Sequence, residues 1–174
     1  MKIKLSQAVT LMSTISKRIY ELKDELNQLA FLYVPKGENY ELSNMRTFNQ
    51  VITEIESAEE DLRKLEVQIA KANTEVTIDW NQESLSILEA LKLAKALRDK
   101  ATEYSSFGRN RNNEIDRARS MGGTPVLRVL TYDPALYAEK ARKLTRQANK
   151  LSALIDDANV ENYILFPNYS VYMD

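Results

Sequence analysis

The chain has 174 residues, which is long enough for one domain, or at most two small ones, with a substantial core. It contains no cysteine and no histidine. This composition excludes disulfides, thiolate chemistry, the usual general base near neutral pH and the imidazole ligands of most zinc and di-iron sites. The net charge of −1 argues against a dedicated nucleic-acid binder.

The beginning of the chain does not resemble a targeting signal. Lys2 and Lys4 are followed by an amphipathic helical pattern rather than by an unbroken apolar run, so we predict no signal peptide. No window of about eighteen apolar residues is present, so we predict no transmembrane helix. We therefore expect a cytoplasmic protein.

The first predicted helix covers residues 6–33. From Leu5 to Tyr33 its apolar residues recur in alternating steps of three and four, which places them in one seam along a helix. Ser6 is a suitable N-cap. Pro35 and Gly37 end the helix, because proline disfavours helical backbone at the preceding residue and glycine permits a reversal.

The second predicted helix covers residues 44–74, with Ser43 or Asn44 as its N-cap. It carries another seam with steps of three and four. The residues that we single out as a hairpin or oligomer seam are Phe48, Val51, Ile55, Leu62, Leu65 and Ile69. Because the first two helices have similar lengths and a short connection, we predict that they form an antiparallel hairpin.

The third predicted helix covers residues 82–107. Glu75–Trp80 alternates and is rich in β-branched residues, which favours a short strand or an extended crossover before the helix. Asn81 is the expected N-cap, with Ser84 as the alternative. Apolar residues surround most of this helix, which predicts a position in the interior.

A polar, basic loop is predicted over residues 108–132. Its five arginines form a candidate site for an anion or a partner protein: Arg109, Arg111, Arg117, Arg119 and Arg128. Guanidinium groups bind phosphate or carboxylate with two parallel hydrogen bonds. The alternative is a loop held by local ion pairs to Glu114 and Asp116. The apolar residues of 126–130 predict a short strand, paired with the Tyr40 region or with Val76–Ile78.

The fourth predicted helix covers residues 134–162. Asp133 and Pro134 supply an N-cap followed by proline in the first turn, which is a strong start signal. The third seam with steps of three and four runs from Tyr137 to Ala158. The tail over residues 166–174 is rich in aromatic residues, and we expect it either to dock on the helices or to fray.

The second helix also carries a row of acidic residues: Glu54, Glu56, Glu59, Glu60 and Asp61. One interpretation is a magnesium site, because a hard cation requires several carboxylate oxygens. That site needs a second acidic group on a facing helix, for which Asp156 and Asp157 are the best candidates. We favour the other interpretation, a solvated outer face opposite the apolar seam.

Several short motifs resemble the septicolysin family, a group of small helical bacterial proteins of unknown function. They are Ile69–Thr74, the helix Leu85–Thr102, the turn around Arg109 with Glu114 and Ile115, and Leu151–Asn159. The resemblance implies an all-α, oligomeric protein without assigned catalytic residues. This chain differs from the family pattern in a longer segment over 120–132 and in the tail that follows residue 165.

These patterns predict an all-α fold: an elongated four-helix bundle built on long antiparallel coiled-coil-like hairpins, with a short irregular or β segment near 108–132, in a single domain over residues 1–174. Three narrow seams exceed what one compact monomer buries, so we expect the chain to bind itself, or another protein. We predict a scaffold or adaptor without enzyme activity, metal or cofactor.

Two other functions stay open at this point. The family name suggests a membrane-active, pore-forming protein, although the polar helix faces mix acids and bases, whereas helices that bind membrane surfaces are rich in lysine and arginine. The weaker alternative is a magnesium-dependent helical nucleotide hydrolase that uses the acidic row.

Overall fold

The computed structural model describes residues 1–37, 46–112, 114–115, 119–120 and 124–173. Most of these residues are helical, which confirms the predicted all-α class at that level. In chain order the helices are α1 (Leu5–Leu29), α2 (Phe48–Glu75), α3 (Ile87–Gly108), α4 (Pro134–Glu161) and α5 (Tyr169–Met173). The strands are β1 (Lys2–Lys4), β2 (Thr77–Trp80), β3 (Glu83–Ser86), β4 (Glu114–Ile115), β5 (Leu127–Arg128) and β6 (Tyr163–Leu165).

The chain divides into two units. Unit 1 comprises Met1–Val76 and Ala158–Asp174, and unit 2 comprises Thr77–Asp157. Each strand pairs antiparallel with one other strand of its own unit: β1 with β6 in unit 1, and β2 with β3 and β4 with β5 in unit 2.

Helices α1 and α2 form the antiparallel hairpin of unit 1. Leu22 packs with Val51 and Ile55, and Leu26 and Leu29 in the last turns of α1 cover the same cluster. The core of the hairpin consists of the buried seam residues Leu5, Ala8, Leu11, Ile15, Ile19, Leu22, Val51, Ile55, Ala58, Leu65 and Ile69. Burial of these side chains contributes most of the stability of both helices, since isolated helices are marginal in water.

Strand β1, which precedes α1, pairs with strand β6, which follows α4. Ile3 lies opposite Ile164 in the register, and both side chains are buried. The amide of Leu5 donates to the carbonyl of Asn162 at 2.9 Å, and the amide of Phe166 donates to the carbonyl of Met1 at the same distance. The sequence analysis did not predict this pair, because its strands are three residues long and far apart in the chain.

Helices α1 and α2 have different bounds from those predicted. Helix α1 ends at Leu29 rather than near residue 33, because the last turn of the predicted helix (Phe31, Leu32 and Tyr33) is exposed and gains no packing that would hold it helical. Helix α2 begins at Phe48 rather than at residue 44, with Thr47 as N-cap and Gln50 completing a capping box. The predicted caps at 43 and 44 lie outside the described residues.

Strands β2 and β3 form a hairpin that replaces the predicted start of the third helix. Asn81 and Gln82 are its two turn residues, with φ of 49° and 70°, as a type I′ turn requires. The sequence analysis interpreted Asn81 as an N-cap, which is wrong. The actual N-cap is Ser86, whose side chain accepts from the amide of Glu89, so α3 begins at Ile87.

The predicted interior position of α3 is also wrong. Its buried face is a narrow stripe of Ile87, Ala90, Ala94 and Ala101, whereas Leu88 and Leu91 are 40% and 44% exposed. In the part of the chain that the structure describes, Leu88 and Leu91 are thus largely uncovered, whereas Leu93 and Leu97 are partly buried. At its end, α3 approaches α4 closely: a side chain added at Gly108 would meet Ala138 at 2.9 Å.

The segment near 108–132 contains a short β structure, as predicted. Its strand β5 pairs with a different segment from those predicted. Strand β5 pairs with β4, so that Ile115 lies opposite Leu127. The predicted pairing with Val76–Ile78 is wrong, because Val76 is the C-cap residue of α2 and the next two residues belong to β2, which pairs with β3. The Tyr40 region lies outside the described residues. Helix α4 follows the prediction closely, beginning at Pro134 and ending at Glu161.

Candidate functional site

Of the five arginines singled out in the loop, the four that the structure describes do not form one cluster. Arg128 on β5 lies directly opposite Glu114 on β4 and makes an ion pair with it. Arg111 is exposed, and Arg119, also exposed, interacts with another residue. Arg117 lies outside the described residues. Arg109 is the C-cap residue of α3, and its side chain belongs to a different site.

Arg109 lines a groove with two arginines that the sequence analysis did not select. Arg142 and Arg146 of α4 lie along the same groove. A sequence signal for them exists: from Lys140 to Ile155 the chain has five lysines and arginines and no acidic residue. The loop carries the more obvious signal, because its arginines are closer together in sequence.

The seam residues singled out on α2 lie mostly inside the hairpin. Val51 and Leu65 are fully buried, and Ile55 and Ile69 are nearly so, while Leu62 is partly buried. Phe48, at the first position of α2, is the exception and is 44% exposed. The surface that a second chain could reach is therefore at the beginning of this seam rather than along its length.

The end of the hairpin where α1 ends and α2 begins carries a group of exposed apolar side chains, which we call the hairpin-end surface: Phe31, Leu32, Tyr33 and Phe48. Three of them, all except Tyr33, line a cavity of about 340 Å³. Arg46 on its rim makes ion pairs with Glu25 at 3.0 Å and with Glu54. These ion pairs hold the polar rim beside the apolar pocket.

The acidic row on α2 is largely paired with lysine and arginine. The Glu59 carboxylate forms an ion pair with the Lys23 ammonium group at 2.6 Å, and the Glu60 carboxylate forms one with Lys64 at 2.8 Å. The hydrogen bond and charge of Lys64 lower the pKa of Glu60 below its ordinary value. Among the described residues, no group of three or more acidic side chains is arranged to hold a metal ion.

Asp61 departs from the rest of the acidic row. We placed it on the solvated face, but it is buried, with only 6% of its surface exposed. Its carboxylate accepts from the Asn168 amide at 2.9 and 3.0 Å and from the Tyr172 hydroxyl at 2.8 Å. The acidic residues around it gave no sign of burial, because its partners are more than a hundred residues away.

The same contacts dock the tail onto unit 1, which decides between the docked and frayed alternatives for the described part of the tail. Burial raises the pKa of the Tyr172 hydroxyl well above its ordinary value, and the hydrogen bond to the Asp61 carboxylate raises it further. Tyr172 and Val171 also line a cavity of about 430 Å³ with residues of α1 and α2.

A cluster of four aromatic rings packs in unit 2. Phe107, Tyr132 and Tyr137 contact one another edge to face at 5.3 to 5.8 Å between ring centroids, and Tyr104 joins through Tyr137. Such edge-to-face pairs add to the stability gained from burial. They fix the end of α3, and with it Arg109, against the first turns of α4.

Within the described ranges, no helix is both long and apolar enough to cross a membrane. No family model matches the chain, and the search of curated proteins found no match. Among solved structures, the chain is similar to a functionally unknown conserved protein from Corynebacterium diphtheriae, at 20% identity and a TM-score of 0.68. The likeness covers 95% of this chain and 100% of that one. At this identity the likeness shows a shared fold and nothing about activity.

Proposed function

We propose that this protein is a non-catalytic interaction protein, a scaffold or adaptor, that self-associates through the hairpin-end surface. The observation that carries the proposal is the exposure of that surface. Phe31 and Tyr33 are 74% and 91% exposed, and Leu32 is 49% exposed. Contiguous apolar surface with a polar rim is typical of protein contact sites, where aromatic residues and arginine are enriched.

The shape of the surface supports a contact between identical copies. It combines projecting aromatic side chains with a concave apolar pocket, which are the two halves of a self-complementary interface. In a two-fold dimer the projecting Tyr33 of each copy would enter the pocket of its partner, which Phe31, Leu32 and Phe48 line. Burial of the aromatic side chains would then supply most of the binding free energy.

The finer predictions from the sequence belong to this proposal. With the proposed function we also infer an elongated four-helix bundle, a cytoplasmic location and a relationship to the septicolysin family. Small-angle scattering would test the elongated bundle. The membrane-active and hydrolase hypotheses stay as alternatives. Dye release from anionic liposomes tests the former, and a Mg²⁺-dependent rise in melting temperature tests the latter.

Sedimentation velocity over a micromolar concentration range tests the proposed self-association. We expect the wild-type chain to sediment as a reversible oligomer, and Phe31→Ser with Leu32→Ser to sediment as a monomer. These side chains are exposed, so their replacement leaves the hairpin core intact.

Tyr20→Ser is the matched control. Tyr20 is an aromatic residue of α1 that is 76% exposed and lies outside the hairpin-end surface. We expect this variant to associate like the wild type. A monomeric wild-type chain, or equal dissociation of the control, would show that the hairpin-end surface is not an interface of this protein.

A further inference from the structure

Unit 2 contains a second feature that is independent of the hairpin-end surface. A groove of about 790 Å³ runs between α3 and α4. Its charged residues are Arg109, Arg142 and Arg146, and we call it the arginine groove. The volume lies within the range of small-molecule sites in proteins, roughly 300 to 1,000 Å³.

The three arginines lack acidic partners in the part of the chain that the structure describes. No ion pair joins any of them to a carboxylate, although Glu139 lies only one turn before Arg142. The guanidinium of Arg109 donates to the Ser105 hydroxyl at 3.3 Å. Arg142 and Arg146 are four residues apart on one helix, a spacing at which like charges repel and destabilise the helix.

Small residues form the rest of the groove between the two helices: Ala101, Gly108, Ala138 and Ala141. Their short side chains add no charge to the groove. The hydroxyls of Ser105 and Thr145 also line it. Ser105 accepts from Arg109 and thus keeps its own proton available for a ligand, whereas Thr145 donates to the carbonyl of Ala141 at 3.0 Å.

We infer that the arginine groove binds a small multivalent phosphate anion, such as an oligophosphate or a phosphate ester. Three guanidinium groups supply planar pairs of donors that match phosphate oxygens, and each carries a full positive charge at every physiological pH. Bound phosphate would also relieve the repulsion between Arg142 and Arg146. An acidic segment of a partner protein is the competing ligand, and the test includes it.

Isothermal titration with inorganic triphosphate tests this inference at constant ionic strength. We expect saturable binding to the wild-type chain, and a loss of about tenfold or more in affinity for Arg142→Ala with Arg146→Ala, because two charge-assisted contacts are removed. Arg142→Lys with Arg146→Lys should bind with intermediate affinity, since the charge stays but the paired donor geometry is lost. Far-UV circular dichroism checks that each variant is folded.

Lys143→Ala with Lys150→Ala is the matched control, because it removes the same charge from the same helix outside the groove. We expect it to bind triphosphate like the wild type. Equal loss in the control would overturn the inference, since it would indicate only general attraction to a basic helix. So would absence of triphosphate binding, or tighter binding of an oligoglutamate peptide. Each outcome is separate from self-association, which the same arginine variants should retain.

Discussion

Asp61 links a single side chain to the position of the tail. A buried carboxylate is costly unless its oxygens receive hydrogen bonds, and Asn168 and Tyr172 supply them. The residue therefore favours this position of the tail, which both covers the carboxylate and supplies its donors. The neighbouring Glu60 is exposed and forms an ion pair with Lys64 on its own helix.

Replacement of Asp61 should destabilise unit 1. We expect Asp61→Ala to lower the free energy of unfolding by about 2 kcal/mol, because it leaves the amide of Asn168 and the hydroxyl of Tyr172 without their acceptor. Urea unfolding followed by far-UV circular dichroism measures the change. Glu60→Ala is the adjacent control, and it should have little effect, since exposed ion pairs contribute little. Equal effects would contradict the assigned role of Asp61.

Tyr172 should make stability depend on alkaline pH. Its pKa is raised in the folded chain, so its contribution is complete below the ordinary tyrosine pKa of about 10 and is lost as the pH rises beyond that value. We therefore expect the stability difference between wild type and Tyr172→Phe to shrink above about pH 10. Urea unfolding across this range measures it. A constant difference would show that Tyr172 ionises alike in both states.

At the scale of elements, the β2–β3 hairpin shows how a turn is imposed on residues that are poor at forming it. Type I′ turns need φ > 0 at both central positions and therefore favour Asn followed by Gly. This chain has Asn81, which tolerates the left-handed region, and then Gln82, which does not. Buried Ile78 and Trp80 on β2 hold the hairpin in place despite the strain.

Gln82→Gly should stabilise unit 2. We expect a gain of about 0.5 to 1 kcal/mol, because glycine removes the left-handed strain while adding some entropy to the unfolded chain. Fluorescence of Trp80, the single tryptophan, reports unfolding of the hairpin. Gln147→Gly, in the interior of α4, should instead destabilise by a similar amount. Destabilisation by Gln82→Gly would exclude strain at this turn.

At the scale of the whole molecule, the net charge of −1 conceals an uneven distribution. Unit 1 has 14 acidic and 10 basic residues, whereas unit 2 has 11 acidic and 14 basic residues. The net charge of the whole chain, which argued against a nucleic-acid binder, therefore does not predict the charge of either unit. A groove for anions is compatible with a slightly acidic chain because unit 2, which contains the groove, has more basic than acidic residues.

Self-association should also appear in the thermal stability of the whole chain. Binding between folded copies favours the native state by mass action, so the melting temperature should rise with protein concentration. We expect differential scanning fluorimetry to show this rise for the wild type and a constant melting temperature for Phe31→Ser with Leu32→Ser. A concentration-independent wild-type melting temperature would contradict the proposed function.

The sequence by itself determined the four long helices and the hairpin seam. Apolar residues at steps of three and four produce a helix with one buried face wherever the segment packs, and Asp133 with Pro134 marks a start that needs no tertiary context. The N-cap of α3 was not determined in this way, because Asn81, Ser84 and Ser86 are all residue types that cap helices well. The strand pairing after the turn selected Ser86.

Only the tertiary structure decided the features that join distant parts of the chain. The β1–β6 pair, the burial of Asp61 under the tail and the meeting of Arg109 with Arg142 and Arg146 each depend on residues that no local pattern connects. Periodicity reports which face of a helix is apolar, but not whether another element covers it. For that reason the sequence predicts a central α3, which is partly exposed, and it does not single out the hairpin-end surface, which is the candidate interface.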